Sequence, residues 1–558
     1  MDVPWKPAPA GEVPAALGDQ TSGLSPLLAR LLALRGVETA RAARDWLHPD
    51  LSSLADPLRL RGAREAAERL LWAARSGRRI VVFGDYDVDG VTAAAQLLAA
   101  LRRAGADARA FIPHRLRDGY GFRPDTVRAV VRDLAPALLV TVDCGITAAD
   151  GVAEARAAGV EVIVTDHHLV PEQLPPGAVV VNPKQPGCEY PEKDLAACGI
   201  AFRLAEAFGR LAGVPLARES LLRAACLGTI ADMVPLRGEN RLIASGGLSA
   251  LAAARAPGLR ALLAECGIAP GSPPSSEEVA FRLAPRLNAA GRVDTAEMAL
   301  ALFELRNAAE ASGVARQLTL RNVERQCLER RVVASAREKI LREGDPARES
   351  VLIAGDEAWH RGVLGIAASR LAREYHRPVM LFGLEGDRAS GSGRSIPGVS
   401  IHTILGEVSA FFLDFGGHDQ AVGGSLRAVD FPAFRDAARS VFAQRVAPEA
   451  LAPMEEYEAD LPLETVGEEL MAELDLLEPH GVGNPRPVFH CGETGVVGPL
   501  TPLGESGTRG ALPGRAGPIP FRAWGGLRVP PSGPMAVLYR LTRGRSGLPE
   551  AEILRVRA

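Results

Sequence analysis

Three carboxylates follow one short apolar segment early in the chain. Asp85, Asp87 and Asp89 come directly after residues 80–83, whose sequence Ile-Val-Val-Phe predicts a buried strand. Alternate residues of an extended chain lie on one side, so this spacing is expected to send all three side chains the same way. Carboxylates so close together repel one another unless a cation lies among them. The alternative is a solvated acidic turn at the end of a core strand.

Two later apolar segments also end in side chains that can bind a cation. The first ends in Asp143, and the second ends in Asp166, His167 and His168. Because the carboxyl ends of neighbouring parallel strands lie about 5 Å apart, these side chains can surround one or two cations together with the first three acids. Asp232, which follows a predicted helix, can complete the site. Imidazoles among carboxylates favour Mn²⁺ over Mg²⁺.

The segments around these residues alternate between the periods of strands and helices. Strands are expected at 80–83, 108–112, 137–142, 161–165 and 178–181, and helices at 91–104, 124–133 and 149–158. This order is typical of a parallel sheet covered by helices. A mostly helical region is expected to follow at residues 195–268.

The remaining sequence predicts several further parts. Residues 24–76 are expected to be helical, and residues 308–343 to form one long helix that joins two lobes, with arginines in ion pairs on a solvated face. A second α/β unit is expected, in which strands 351–354 and 378–382 flank a helix at 363–374. After residue 453, short strands separated by Gly and Pro predict a small β barrel or sandwich. Within it, residues 499–518 are expected to form a long loop.

Composition limits the classes of protein. A chain of 558 residues is expected to contain several domains. Its net charge of -3 gives no general attraction to nucleic acid, so such a partner must bind a local basic groove. The seven cysteines lack C-x-x-C spacing, which indicates reduced thiols rather than a disulfide or zinc framework. No apolar segment reaches about 18 residues, so we expect no membrane span and a cytoplasmic protein.

Short motifs occur in the order found in one enzyme family. They are Asp-Tyr-Asp-Val-Asp-Gly (85–90), Asp-Cys-Gly (143–145), Asp-His-His (166–168), Asn-Pro-Lys (182–184), Gly-Thr-Ile-Ala-Asp (228–232), Phe-Arg-Leu-Ala-Pro-Arg-Leu-Asn-Ala-Ala-Gly-Arg (281–292), Trp-His-Arg-Gly-Val-Leu-Gly (359–365), Ser-Gly-Arg-Ser (392–395) and Gly-Gly-His (416–418). On these motifs the chain resembles the DHH phosphoesterase superfamily, and within it the bacterial single-strand-specific DNA exonucleases.

The resemblance implies an architecture. It is an α/β fold in which a parallel-sheet DHH domain is joined by a long helix to a smaller α/β DHHA1 domain, followed by an OB-like β domain. The expected division is a helical segment at 1–76, the DHH domain at 77–300, the connecting helix at 301–345, the DHHA1 domain at 346–450 and the OB-like domain at 451–558.

The resemblance also implies roles at the metal site. Two Mn²⁺ ions are expected, with Mg²⁺ as the alternative. Asp143 is expected to bridge them and His168 to face the scissile phosphate, and these two with His167 form the expected catalytic set. Asp85 is either a ligand or a hydrogen-bond acceptor beside the ligands. The expected ligands are Asp87 and Asp143 for one ion and Asp89, Asp143, His167 and Asp232 for the other.

Substrate contacts are expected from a second set of side chains. Arg394 lies between Ser392 and Ser395, and a guanidinium with two hydroxyls suits the oxygens of a phosphate. For each arginine the alternative is a surface ion pair. The other candidates are Arg115, Arg286, Asn288, Arg292, His360 and His418.

The function that the resemblance implies is 5′→3′ degradation of single-stranded DNA to 5′-mononucleotides in DNA repair and recombination. A monomer is expected, with a single-strand-binding protein and a helicase as partners. One alternative is a DHH phosphodiesterase for short oligonucleotides or cyclic dinucleotides. The other is a replication scaffold without activity, against which the complete set of acids and histidines argues.

Overall fold

The computed structural model describes residues 3–9, 13–18, 23–115, 117–119, 121–293, 295–504, 506–544 and 546–557. The chain divides into two compact units, each described by itself below. The larger unit contains Trp5–Leu287, Ala296–Ala315 and Glu455–Ala558, and the smaller one contains Met1–Pro4, Asn288–Thr295 and Arg316–Met454.

The larger unit begins with a short strand and four helices. Ser25 and Thr39 accept hydrogen bonds from backbone N–H groups at the starts of the second and third helices, as N-cap residues do. The expectation of helices in residues 24–76 is confirmed. The elements are β1 (Trp5–Pro7), α1 (Ala15–Gly18), α2 (Pro26–Leu34), α3 (Ala40–Leu47) and α4 (Ala63–Arg75).

A five-stranded parallel sheet follows, in the order β3-β2-β4-β5-β6. The strands β2 and β4 are buried along their whole length, which is typical of parallel sheets covered on both faces. All five expected strands and the three expected helices are confirmed, with shifts at their ends. The elements are β2 (Ile80–Gly84), α5 (Val88–Arg103), β3 (Ala108–Phe111), α6 (Pro124–Leu134), β4 (Leu138–Val142), α7 (Ala149–Ala157), β5 (Glu161–Thr165) and β6 (Val179–Val181).

A helical layer completes this part, as the sequence predicts. Its later section contains a π-helical turn at Val279–Leu283, a feature that is frequent at functional sites. Within the described residues no single helix has the length and apolarity to cross a membrane, although the bent helix pair Gly238–Ala252 and Pro257–Glu265 passes the same test together. The helices are α8 (Ala197–Ala212), α9 (Arg218–Ala231), α10 (Gly238–Ala252), α11 (Pro257–Glu265), α12 (Ser276–Glu278), α13 (Ala284–Val293) and α14 (Glu297–Glu304).

The long helix is confirmed as α15 (Ala308–Glu343), which has 36 residues. Several of its arginines form ion pairs on the helix itself. Arg321 lies 3.0 Å from Glu324, and Arg325 lies 2.8 Å from Glu329. These contacts agree with the ion-pair interpretation of the helix surface.

The smaller unit contains a second five-stranded sheet in the order β10-β11-β9-β8-β7. Only β7 and β8 are parallel; the other neighbours are antiparallel. The sequence predicts β7, α16 and β8 but not β9 to β11, because these Gly-rich strands lack an alternating apolar pattern. The elements are β7 (Leu352–Asp356), α16 (Leu364–Tyr375), β8 (Val379–Glu385), β9 (Arg388–Arg394), α17 (Ile401–Gly406), β10 (Phe412–His418), β11 (Ala421–Arg427) and α18 (Phe431–Arg445).

The expectation of β structure near the end of the chain is confirmed. The seven-stranded sheet there has the order β13-β14-β18-β19-β17-β16-β15. The prediction of a long loop at residues 499–518 is wrong, because β15 and β16 pair there and β16 pairs with β17. The elements are β12 (Glu455–Tyr457), β13 (Ala459–Asp460), α19 (Glu468–Asp475), β14 (Phe489–Thr494), β15 (Thr501–Leu503), β16 (Gly507–Leu512), β17 (Ile519–Ala523), β18 (Met535–Arg543) and β19 (Pro549–Arg557).

One hydrophobic core joins the two ends of the larger unit's sequence. Leu31 and Leu32 of α2 belong to the same buried cluster as Phe489 and Tyr539 of the C-terminal sheet. In addition, β1 pairs in parallel with β12. The first helices therefore pack with a sheet that lies more than 400 residues later in the sequence.

Candidate metal centre

The turn between β2 and α5 brings the first three acids together. Asp87 is the N-cap of α5, and its Oδ1 accepts hydrogen bonds from the N–H groups of Asp89 (2.9 Å) and Gly90 (3.1 Å). Asp89 therefore lies in the first helical turn, and strand alternation is the wrong reason for its position. A Cβ at Gly90 would lie 2.6 Å from the backbone N and O of Asp85, so only glycine fits here.

Asp89 faces the beginning of another helix. It is 1% exposed, and its two oxygens accept hydrogen bonds of 2.8 Å from the N–H groups of Ala197 and Cys198, at the start of α8. The positive end of a helix stabilises a carboxylate placed there. Helix α8 therefore holds this acid in the buried site.

Asp143 has an unusual backbone conformation. It follows β4 with φ of 64°, in the left-handed region that Asp and Asn tolerate better than most residues. Its side chain is buried, and within the described residues its Oδ1 makes no hydrogen bond. The same is true of Asp85 Oδ1 and His167 Nε2. Buried polar atoms normally have partners, so these three atoms fit a site for a cation.

The candidate ligand atoms form overlapping sets. His167 Nε2 lies 3.3 Å from Asp143 Oδ1 and 3.6 Å from Asp232 Oδ2. Asp143 belongs to two sets, which suits a carboxylate shared by two ions. The sets whose ligand atoms lie within 4.8 Å of one another are Asp85, Asp87 and Asp143; Asp89, His167 and Asp232; and Asp143, His167 and His168.

Burial and mutual repulsion disfavour the ionised form of these acids. Burial, followed by repulsion from Asp87, raises the pKa of Asp85 and of Asp143 well above the usual range. The same two causes raise the pKa of Asp89 to about 6. Burial, followed by repulsion from Asp89, raises the pKa of Asp232 to about 9. Cations among these carboxylates would offset both effects, since opposite charges favour ionisation.

The imidazole of His167 has the protonation state that metals require. Burial, followed by the charge of His168, lowers the pKa of His167 to about 3, although Asp166 acts in the opposite direction. The ring is therefore neutral near pH 7. A neutral imidazole can offer a ring nitrogen to a metal.

His168 is held by Asp166. The Nδ1 atom of His168 lies 2.7 Å from Asp166 Oδ1, and Asp166 Oδ2 accepts a hydrogen bond of 3.0 Å from the N–H of Ile146. Burial lowers the pKa of His168, but the hydrogen bond and charge of Asp166 outweigh it and raise that pKa above its ordinary value. Sequence reasoning counted Asp166 among the side chains that can surround the cations; in the structure it orients a half-exposed imidazole.

Comparisons with known proteins agree with this geometry. The model of the DHH family, N-terminal domain, matches residues 79–229, and that of the DHHA1 domain matches residues 348–444. The single-stranded-DNA-specific exonuclease RecJ of Salmonella typhimurium is 39% identical over 433 residues, which cover 74% of each chain. The chain belongs to the RecJ family. This membership confirms the resemblance that the motifs indicate.

Other RecJ proteins extend the match. RecJ of Bacillus subtilis is 37% identical over 83% of this chain, and the chain spans 58% of that protein's length. The crystal structure of RecJ in complex with Mn²⁺ from Thermus thermophilus has a TM-score of 0.82 and 34% identity, covering 100% of this chain and 80% of that one. The α/β fold class is thereby confirmed as that of RecJ.

Two of the substrate candidates lie in the larger unit. The guanidinium of Arg115 lies over the ring of Tyr86, 5.0 Å from its centroid, and its charge partly offsets the raised pKa of Asp85. Arg286 donates to the carbonyls of Arg282 (2.6 Å) and Glu265 (3.3 Å). Arg115 is therefore near the metal centre, whereas Arg286 donates hydrogen bonds to two backbone carbonyls.

Three more candidates lie together in the smaller unit. Arg292 donates to the carbonyl of Gly362 over 3.3 Å, and His360 Nδ1 accepts from the N–H of Gly362 over 3.1 Å. Asn288 lies one helical turn before Arg292 on α13 and is half-buried. The structure thus brings Arg292 and His360 to one turn before α16.

Two of the three residues of the expected phosphate cluster, Arg394 and Ser392, contact each other. Arg394 Nη1 lies 3.2 Å from Ser392 Oγ, whereas Ser395 donates its hydroxyl to the carbonyl of Val399 over 2.7 Å. A Cβ at Gly365 would lie 2.8 Å from Arg394 Nη2 and 2.9 Å from Ser392 Oγ. The first turn of α16 therefore lies against this pair, which sequence reasoning missed although Gly365 ends a quoted motif.

His418 lies at the end of the edge strand β10. It is exposed, and its Nδ1 accepts from the N–H of Gln420 over 3.4 Å. Its role in substrate binding stays a prediction.

Proposed function

We propose that this chain hydrolyses single-stranded DNA from the 5′ end to 5′-mononucleotides, using two divalent cations. The observation that carries this proposal is Asp143, a buried carboxylate common to two sets of acids and imidazoles. The RecJ relatives, named as single-stranded-DNA-specific exonucleases, support the substrate. The Thermus structures, described with Mn²⁺ and with Mg²⁺, support the metals, of which we propose Mn²⁺ first.

The residues of the metal centre have separate tasks. Bound cations would lower the pKa of the attacking water and stabilise charge that develops at the phosphate. His167 contributes a neutral imidazole, and His168, held by Asp166, faces the scissile phosphate. Asp85 is either a ligand or an acceptor beside the ligands. We assign Asp87 and Asp143 to one cation, and Asp89, Asp143, His167 and Asp232 to the other.

The smaller unit recognises the end of the strand in this proposal. Ser392 and Arg394 hold the terminal 5′ phosphate, and the first turn of α16 supports them because a helix N-terminus attracts anions. Of the remaining candidates, Arg115, Arg286, Arg292 and His360 contact the backbone of the DNA strand, and the roles of Asn288, Ser395 and His418 stay predictions.

The test uses long single strands labelled at either end, incubated with Mn²⁺. We expect the 5′ label to appear at once in a mononucleotide. The fragments that carry the 3′ label should become shorter gradually. Faster turnover of a dinucleotide than of a long strand would indicate the short-oligonucleotide phosphodiesterase instead. Binding of Mn²⁺ in calorimetry without any hydrolysis would indicate a scaffold.

Several finer points are part of the same proposal. They are a cytoplasmic location, a monomer, a role in DNA repair and recombination, and a single-strand-binding protein and a helicase as partners. Light scattering measures the oligomeric state, and co-purification with candidate partners measures the associations.

A further inference from the structure

The segment after β6 contacts the two histidines through their backbone. Asn182 donates from Nδ2 to the carbonyl of His168 over 3.0 Å. Lys184 donates from Nζ to the carbonyl of His167 over 2.9 Å. The backbone carbonyl of each histidine therefore has its own side-chain donor, and the two donors lie two residues apart in one motif.

This segment is itself held in place. Asn182 is fully buried, and its Oδ1 accepts from the N–H of Lys184 over 2.8 Å, which closes a tight turn. The strand before it pairs with β5 up to Val181 opposite Thr165, so the turn begins beside the end of β5. Lys193 donates to the carbonyl of Pro183 over 3.1 Å and fixes the turn from outside. A turn so constrained can hold its neighbour in one orientation.

The ammonium of Lys184 lies near the backbone of one candidate ligand and beside an acid. Its side chain is 25% exposed, and Nζ lies 3.5 Å from Asp194 Oδ1. Asp194 therefore offsets part of the lysine's charge. The hydrogen bond to the His167 carbonyl is a direct contact between Lys184 and the backbone of a candidate ligand.

We propose that Lys184 and Asn182 are positioning residues with separable effects, Lys184 acting through His167 on metal affinity and Asn182 acting through His168 on the rate of hydrolysis. A backbone carbonyl that loses its donor can rotate, and this rotation tilts the Cα–Cβ bond that aims the imidazole. Partners outside the ligand shell are known to orient ligands in this way. The roles of the two histidines rest on the proposed function.

The experiment compares the unaltered full-length chain with four full-length variants: Lys184→Met, Lys184→Arg, Asn182→Ala and Lys193→Met. For each protein, calorimetry gives the dissociation constant for Mn²⁺, and labelled single strands give the turnover at saturating Mn²⁺. Histidine-selective NMR reports the two rings, and thermal melting reports stability. Lys193→Met is the matched control, because Lys193 holds the same turn but contacts neither histidine carbonyl.

We expect Lys184→Met to raise the dissociation constant for Mn²⁺ by about tenfold, the lower end of the range for partners outside the ligand shell. Added Mn²⁺ should recover its lost turnover, and Lys184→Arg should restore the affinity. Asn182→Ala should change the affinity by less than twofold and lower turnover by about tenfold. The NMR signals of His167 should shift in the first variant and those of His168 in the second.

Three results would overturn the proposal. The first is that Lys184→Met and Asn182→Ala change the Mn²⁺ affinity equally and the turnover equally, and that Lys193→Met shows the same losses. This result would indicate that the turn gives structural support only. The second is tighter Mn²⁺ binding in Lys184→Met, which would show that its charge repels the cation. The third is NMR signals that do not distinguish the two rings. If the unaltered chain binds Mn²⁺ yet degrades no DNA, the proposed function fails, while calorimetry and NMR still decide the positioning roles.

Discussion

Asp143 combines two features at the scale of a single residue. Its φ of 64° favours Asp or Asn over alanine, and its carboxylate is buried among four other acids that raise its pKa. For Asp143→Asn we therefore expect a folded protein that is at least as stable as the unaltered chain without metal, since one crowded charge is removed. Turnover with Mn²⁺ should fall by at least about 100-fold, because the cation clamp contributes several kcal/mol.

Thermal melting without metal and turnover of labelled single strands measure these two effects. Asp150→Asn, on the exposed first turn of α7, is the control and should leave both unchanged. A loss below about tenfold for Asp143→Asn would contradict a role in binding both cations, since each 1.36 kcal/mol corresponds to a factor of ten.

The two neighbouring histidines should respond differently to the same change. His167→Ala should weaken Mn²⁺ binding, because its Nε2 lies among Asp143 and Asp232. His168→Ala should retain the affinity and lose rate, since Asp166 already holds one ring nitrogen of this half-exposed side chain. Calorimetry and turnover at saturating Mn²⁺ separate the effects. Equal dissociation constants in the two variants would refute the assignment.

Arg394 is expected to recognise the 5′ end of the DNA strand. Arg394→Ala should raise KM for 5′-phosphorylated single strands, because a charge-assisted contact worth about 1.5 to 3 kcal/mol is lost. Strands with a 5′ hydroxyl should be affected much less. Arg388→Ala, on the same β-strand β9, is the control, since Arg388 forms an ion pair with Asp414. An equal loss on both substrates would move end recognition to Arg115, Arg286 or Arg292.

At the scale of elements, the ends of α6 and α7 form a matched pair. Ala135 ends α6 in the left-handed region with φ of 44°, whereas Ala158 ends α7 with φ of -82°. Ala135→Gly should stabilise α6 by about 0.5 to 1 kcal/mol, because glycine adopts positive φ without steric strain. Ala158→Gly should give no gain. Native-state hydrogen exchange of each helix measures the change, and equal effects would contradict this explanation.

Only some of the strands can be predicted from a local pattern of apolar residues. The strands β2, β4 and β5 are apolar and continuous, and each is followed by its polar motif, so both strand and site can be recognised locally. In contrast, β9 reads Arg-Ala-Ser-Gly-Ser-Gly-Arg and is a strand because β8 and β11 supply hydrogen bonds on both sides. The position of Ser392 and Arg394 beside α16 could therefore not be foreseen.

At the scale of the whole molecule, the N-terminal helices stabilise a sheet at the other end of the sequence. Leu31 of α2 is fully buried in the core shared with the C-terminal sheet. Leu31→Ala should destabilise this core by about 2 to 5 kcal/mol, because it removes buried methyl groups and leaves a cavity. Hydrogen exchange in β18 and β19 should accelerate, while that in β2 and β4 should not.

Leu341→Ala is the control for this change, since Leu341 is 55% exposed on α15 and its loss leaves no cavity. Uniform acceleration of exchange across both sheets would show that the core is not separable from the metal-binding sheet. In that case the helices at the beginning of the chain would support the entire larger unit.

The sequence by itself determined the family, the parallel sheet and the acids and histidines that gather at its edge. These features depend on residues close in sequence, where the period of apolar side chains and the order of motifs carry the information. Only the tertiary structure decided the left-handed Asp143, the separate donors of the two histidine carbonyls, and the core that joins α2 to β18. Each of these depends on contacts between distant segments, for which no local pattern of residues provides a signal.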